Sequence, residues 1–355
     1  MKPTVIFIMG TGALSKAIVD TLSFSHLADI TFYICSRSLS SSSWLATIGN
    51  ARSSLRQNNL LFVAKEIDWD NPSLLTENLT LYQPAFVIHA ASLQSFWSLK
   101  QDNKWSKLIR ETGYGITMPL QCKLTIALAK AISNTPDPPQ LINCCYPDAV
   151  NYVVKKCGLD VLCGIGNIGI IERLLSIDNN LRGELMLLAN HFHIAELSKP
   201  VQFRTQLPKL WFNKKELNDL RSVFDKIYIN NDASLNSITS LTCLRLLSVL
   251  LDGSREEMLH LPAPHGQIGG YPVFFKNKRI DYIGTKILDG ETERKWNKNI
   301  MEKEGLLFSE DRIGFSEKAF EKINRYSQHL ARGFSFSDIE DYITDFIDLK
   351  KRLSL

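Results

Sequence analysis

Residues 5–22, VIFIMGTGALSKAIVDTL, decide the fold. Five apolar residues in a row, 5–9, read as a strand buried on both faces, because such a strand shows a continuous run rather than alternation. Gly10-Thr11-Gly12 follows at once, and residues 13–22 then carry helical spacing. Strand, glycine turn and helix form the first unit of a dinucleotide-binding fold. Gly10 permits the tight turn, and Gly12 lets the backbone approach a pyrophosphate. Thr11, Ala13 and Leu14 complete the turn and the opening of the helix, whose free N–H groups carry partial positive charge toward an anion. Ser15 occupies the third glycine position, so the motif is a loosened G-x-G-x-x-S.

Working outward, residues 30–35 (ITFYIC) form the second strand, at whose end this kind of fold reads the adenosine ribose. An acidic residue there would accept from both ribose hydroxyls of NAD. The chain instead has Cys35-Ser36-Arg37-Ser38, which offers a guanidinium and two hydroxyls to a 2′-phosphate, so NADP is favoured over NAD. Residues 40–43, all serine, read as flexible loop. Residues 61–63 begin a third strand. Asp68 after it suits either the adenine edge or the cap of the helix that follows Pro72. Residues 85–91 (AFVIHAA) are the fourth strand. Its small end, with Ala91 and Ser92, lets the chain pass close under ribose and nicotinamide, and His89 inside it reads as a core histidine. Residues 97–110 and 119–132 are helical, separated by the glycine-containing residues 111–115. Residues 141–145 form a fifth strand containing Asn143. Five strand–helix alternations in the first 150 residues fit a parallel, doubly wound Rossmann sheet.

The chain has 355 residues, enough for two domains, and the expected division is 1–147 for cofactor and 148–355 for substrate and catalysis. A net charge of +4 with no basic run gives no reason to expect nucleic acid or a membrane surface as partner. Seven cysteines without paired spacing read as reduced thiols in a cytoplasmic protein. The expected partners are a small-molecule substrate and a second copy of the chain in a homodimer.

From residue 141 onward the chain resembles the lactate/malate dehydrogenase superfamily and its relatives, the family 4 glycosidases. Residues 142–150 (INCCYPDAV) resemble the strand and helix start of those families, with Asn143 in the place of the asparagine on the nicotinamide side. Residues 161–173 (VLCGIGNIGIIER) resemble the next strand and helix. Residues 184–194 (ELMLLANHFHI) resemble the strand that carries the families' active-site histidine, which falls on His191. Residues 235–252 match the long helix facing the substrate, and residues 271–283 match a hairpin before the C-terminal helices. The resemblance implies an N-terminal Rossmann domain followed by an α+β domain of lactate/malate-dehydrogenase type. It also implies an NAD(P)-dependent oxidoreductase in which His191 handles the proton.

Departures from the family pattern matter as much. The aspartate that would orient the histidine is Gly169, and the arginine that grips a substrate carboxylate is Glu172. The loop arginine has no counterpart at residues 92–94, and Arg110 is the nearest candidate. A 2-hydroxy acid is therefore a poor expectation. Glu172 would suit an amine or a polyol, or else it forms a structural ion pair. On a strand, residues two apart share a face, so His191 and His193 are expected to point the same way, one as acid/base and one for binding. Two other readings stay open. Cys163 with His191, and the Asn190-His191-Phe192 run, resemble the metal-dependent redox chemistry of the family 4 glycosidases, although two ligands do not define a metal site. The missing aspartate and arginine also fit a non-catalytic NADP-binding protein.

Overall fold

The structure is a computed structural model that describes residues 3–56 and 58–355. Its first half is a six-stranded sheet. Strands β1 (Thr4–Met9), β2 (Ile30–Ser36), β3 (Leu60–Glu66), β4 (Phe86–His89), β5 (Gln140–Asn143) and β6 (Cys163–Gly164) are ordered β3-β2-β1-β4-β5-β6, every neighbouring pair parallel. Helices α1 (Ala13–Ser23), α2 (Leu39–Ser53), α3 (Pro72–Tyr82), α4 (Lys104–Thr112), α5 (Met118–Ser133) and α6 (Pro147–Lys156) cover its faces. Ile6, Phe7, Ile8 and Met9 are fully buried, as a central strand covered on both sides requires. The strand order reverses between β1 and β4, and the carboxyl ends on either side of that point open into a single cleft.

The serine run does not form a loop. Residues 40–43 are the first turns of α2, with Ser38 as the cap. Short hydroxyl side chains satisfy the free amides of a helix start, which is why a serine cluster can begin a helix as readily as fill a loop. Asp68 accepts from the amide of Asp70, and the cap of α3 is Asn71. His89 is buried in β4 against Trp69, as its apolar neighbours imply.

The later residues build three antiparallel sheets. The first is β7 (Leu185–Leu188), β8 (Lys209–Phe212) and β9 (Lys215–Glu216). The second is β10 (Glu257–Pro262), β11 (Gly270–Lys276) and β12 (Arg279–Ile283), and the third is β13 (Leu306–Phe308), β14 (Arg312–Phe315) and β15 (Phe334–Ser335). Around them lie α7 (Ile168–Leu175), α8 (His191–Leu197), α9 (Arg221–Phe224), α10 (Leu235–Leu251), α11 (Gly290–Lys303), α12 (Glu317–Asn324), α13 (Gln328–Ala331) and α14 (Ile339–Ser354). The two halves share their cores. Ile6, Ile8 and Ile18 pack in one cluster with Leu246 of α10 and Leu261 of β10. Ile339, Tyr342, Ile343, Phe346 and Leu349 of α14 are buried against the first half, Phe346 meeting Trp105 at 5.8 Å, so that face of α14 is filled from within the chain. After residue 147 the chain adds β6 to the sheet. Among the described residues, no helix is long and apolar enough to cross a membrane.

Three buried histidines make the fold sensitive to acid. Burial pushes His89, His193 and His260 down to about 3, so each stays neutral in the folded state. In the unfolded chain they titrate near 6.5. Between those values the unfolded state binds more protons, so stability falls as pH drops, by about 1.4 kcal/mol per pH unit for each proton. Asp148, pushed up to about 7 by burial, works the other way, as do His191, Glu172 and Glu293, whose folded-state pKa values are also raised. Thermal melts should therefore show a clear loss of Tm from pH 7.5 to pH 5, and a flat Tm would contradict the buried, neutral histidines.

Candidate active site

At the β1–α1 turn, Gly10 adopts φ +113° and its amide donates to the Cys35 carbonyl at 2.7 Å. A Cβ there would sit 3.1 Å from the Ala90 carbonyl oxygen. Gly12 caps α1 with no side chain bonded to the helix amides and no acidic residue in the first turn. A Cβ built on Gly12 would meet nothing within 4 Å, so the space above this turn is open. An uncapped helix start facing open space is the donor set a pyrophosphate requires. Thr11, Ala13, Leu14, Ala91 and Ser92 line the same cleft, whose volume is about 480 Å³. Ser15 lies beneath the turn, fully buried.

At the end of β2, Arg37 is exposed on the cleft wall and free of ion pairs among the described residues. Ser38 is exposed beside it and accepts from the Ser41 amide at 3.2 Å, at the start of α2. Ser36 also lines the cleft; its hydroxyl donates to the Ser38 carbonyl at 2.9 Å and pairs with Ser42 Oγ at 2.8 Å, bracing the turn. Asn143 differs from expectation. It is fully buried and absent from the cleft lining, its Oδ1 accepting from the Cys145 amide at 2.9 Å and its Nδ2 donating to Asn151 at 2.8 Å. It clamps the β5–α6 turn that brings Cys144, Cys145 and Tyr146 to the cleft.

His191 lines the same cleft. The chain leaves β7 at Leu188 and turns into α8, which His191 opens. A helix turns about 100° per residue, so His191 and His193 face nearly opposite ways, where a strand would have aligned them. His193 lies against Trp296, ring centroids 5.5 Å apart, and its Nδ1 accepts from the Asn190 amide at 3.1 Å. It is a helix-capping residue outside the cleft. The Asn190 side chain caps the same helix, which makes the 190–193 run a capping box.

The partner of His191 comes from 113 residues away. Its Nδ1 lies 2.7 Å from Oε1 of Glu304, at the end of α11. The Tyr146 hydroxyl donates to the other oxygen, Glu304 Oε2. Only 4% of the Glu304 side chain is exposed, so both its oxygens are spent holding these two groups. Gly115 donates its amide to the Glu304 carbonyl at 3.0 Å, and a Cβ at Gly113 or Gly115 would come within 2.5 Å of that oxygen. The glycines of residues 111–115 thus allow the close approach that seats Glu304. Rings of Tyr114, Tyr146 and Phe96 surround the imidazole at 4.8, 5.2 and 5.6 Å. Burial opposes charge on His191, but the Glu304 carboxylate, its hydrogen bond and nearby Asp148 outweigh it and hold the pKa above the ordinary value. With Nδ1 committed, Nε2 is the nitrogen left for a substrate.

Asp148, second residue of α6, is fully buried; Asn167 donates to its Oδ2 and its Oδ1 has no partner. Burial drives its carboxyl up, His191 pulls it back and Glu304 adds to the rise. Tyr146 (φ +46°) and Asn167 (φ +37°) hold left-handed backbone conformations on the cleft wall. Non-glycine residues adopt these at a cost of about 1–3 kcal/mol each, a strain concentrated where geometry serves a site.

Several expected residues lie elsewhere. Glu172 is not part of the cleft lining; it pairs with Arg245 at 2.9 Å, which in turn holds Glu257 at 2.6 Å. Burial raises its carboxyl and Arg245 and Arg173 lower it, the pattern of a structural ion pair. Gly169 has no room for an aspartate, since a Cβ would lie 2.9 Å from Thr242 on α10. Arg110 is exposed on α4 and faces Asp102 at 3.9 Å. Cys163 is buried in β6 and does not line the cleft with His191, so the two do not form a ligand pair. Among the described residues, no group of three or more histidine, cysteine or acidic side chains could hold a metal ion. All seven cysteines are free thiols.

No family model and no curated protein matches the chain. Solved structures do. A lactate dehydrogenase from Eimeria maxima, solved with NADH and oxamate, superposes with TM-score 0.54 at 14% identity over 84% of this chain and 93% of its own. The malate dehydrogenase of Cryptosporidium parvum gives 0.53 at 13% identity over 85% and 98%. That of Aeropyrum pernix gives 0.54 at 14% over 83% and 95%. The chain therefore has the fold of the lactate and malate dehydrogenases, a Rossmann sheet followed by an α+β half.

Proposed function

We propose that this chain is an NAD(P)-dependent oxidoreductase, with NADP preferred, acting on a small molecule with His191 as the acid/base group. The observation that carries the reading is the 2.7 Å contact of His191 with Glu304, placed in the same cleft that begins at the open glycine turn. Amides of the α1 start would hold the pyrophosphate. Arg37 and Ser38 would hold a 2′-phosphate, with the adenine beside Trp69, a cleft residue, in place of Asp68. The nicotinamide, when bound, supplies or accepts the hydride. The chain's own residues do the rest. Glu304 and Tyr146 fix the imidazole orientation, Nε2 gives the proton in reduction or takes it in oxidation, and the surrounding rings keep water away.

The glycine turn provides the test. Gly12 has an ordinary φ of −73° and empty space above it, so Gly12→Leu should leave Tm nearly unchanged. The added side chain fills the place of the pyrophosphate, and NADPH affinity, followed by the fluorescence of the bound dihydronicotinamide, should fall by at least about tenfold. Unchanged affinity would remove the cofactor from this turn.

A further inference from the structure

We propose that the cleft takes an uncharged ketone, or the secondary alcohol it becomes, carrying an apolar arm beside the reacting carbon. This rests on the oxidoreductase reading and names its substrate class. The rings of Phe96, Tyr114 and Tyr146 lie against His191. Trp97, Ile170, Ile194 and Leu235 add apolar lining to a cleft that also carries the amides of Gln94, Gln121, Asn167, Asn231 and Asn236. Among the described lining residues, Arg37 and His191 are the basic side chains and no carboxylate is present. Tyr114, Tyr146, Cys144 and Cys145 are ionisable, but burial pushes their pKa values up, which keeps them neutral. Arg37 follows β2 at the cofactor's ribose end and is the one lysine or arginine among the described lining residues.

Apart from the His191 imidazole, which is needed for the proton, a substrate carboxylate would find no cation beside it among the described lining residues. The position that would have gripped it is Glu172, tied to Arg245. Behind His191 stand Glu304 and Asp148, two further acidic groups, and a charge left unpaired in such surroundings is strongly disfavoured. A cationic amine fares no better. Both Glu304 oxygens are taken by His191 and Tyr146, so Glu304 presents no free carboxylate to an ammonium. Burial opposes the proton on His191, while the Glu304 carboxylate, its hydrogen bond and Asp148 favour it, and the pKa stands above the ordinary value. What remains is a neutral polar atom for Nε2 and an apolar body for the rings of Phe96 and Trp97, which lie on the turn after β4.

The reaction balances. In reduction the carbonyl carbon gains a hydride from the dihydronicotinamide, which is thereby oxidised. The carbonyl π pair becomes the new O–H bond with the proton of Nε2, and water later returns a proton to His191.

Three aryl-bearing probes separate the charge classes: ethyl 2-oxo-4-phenylbutanoate, the free acid 2-oxo-4-phenylbutanoate, and the smaller cyclic imine 3,4-dihydroisoquinoline, protonated at neutral pH. NADPH binding is measured first by fluorescence titration. If NADPH does not bind, the oxidoreductase reading falls and this proposal with it. With NADPH bound, kcat/KM for the ester should exceed that for the acid by about 100-fold, the scale of an unpaired buried charge, and the imine should not react. Saturation-transfer NMR with NADP⁺ present should show the ester bound and the acid unable to displace it. Trp97→Arg places a cation in the cleft and should narrow the ester-to-acid ratio at least about tenfold. If that variant does not fold, the wild-type ratio decides. Preference for the acid or the imine, or absence of ester binding while NADPH binds, overturns the substrate class and leaves the cofactor reading standing.

Discussion

His191→Ala should lower kcat/KM by about 10²- to 10⁴-fold, the usual contribution of a positioned acid/base group, while NADPH binding stays close to wild type. The two readouts separate because the glycine turn, not His191, supplies the amides for the pyrophosphate. Glu304→Gln tests how the imidazole is held. Glutamine keeps the hydrogen bond but removes the charge that, with Asp148, overrides the desolvation of His191. Reduction requires the protonated imidazole. In the wild type its pKa lies above the ordinary 6.5, so reducing activity persists through neutral pH and declines on the alkaline side. In Glu304→Gln burial dominates, the pKa drops, and the falling limb of the pH–rate profile should move to lower pH, with activity recovered on acidification. A merely structural glutamate would lower the rate without moving that limb. An unshifted limb would therefore separate Glu304 from the chemistry.

Arg37→Ala should weaken NADPH binding by roughly 10- to 150-fold, corresponding to the loss of about 1.5–3 kcal/mol of charge-assisted hydrogen bonding, and should change NADH binding little. Arg37 is exposed, beside the cap of α2 and free of ion pairs among the described residues, so it is available to a phosphate. Because the pair would be partly solvated, the NADPH advantage should shrink as ionic strength rises. Equal losses for the two cofactors would refute the 2′-phosphate assignment and leave a general nicotinamide site.

The stretch at residues 5–22 could be read directly because its structure is local: a buried strand shows its apolar run, and a tight turn shows its glycines. The hairpin that the resemblance implied within residues 271–283 is present, Asn277 and Lys278 taking the left-handed conformation between β11 and β12. His191 lies on a helix rather than on the expected strand. The apolar run at residues 185–189 hides the point where the strand stops, and the signal for the stop, Asn190 with His193 three residues later, is a helix cap. Glu304 could not be found this way. Nothing in residues 301–306 distinguishes it from a surface glutamate, and its role arises only when α11 ends against the glycines at 113 and 115. Glu172 misled for the converse reason. Its sequence position was that of a substrate-gripping residue, while its partner Arg245 comes from a helix more than seventy residues later. Asp148 carried a usable hint, an acidic residue directly after Pro147 at a helix start, but its burial beside the imidazole belongs to the tertiary fold.

The central claim is that one cleft joins the glycine turn to the imidazole of His191. A crystal structure of the protein with NADP⁺ tests it most directly. The account predicts the pyrophosphate on the amides that follow Gly12, the 2′-phosphate at Arg37, and the nicotinamide ring beside His191 with Nδ1 still on Glu304. A ring beyond side-chain reach of His191, or a pyrophosphate bound away from the Gly10–Gly12 turn, would contradict it.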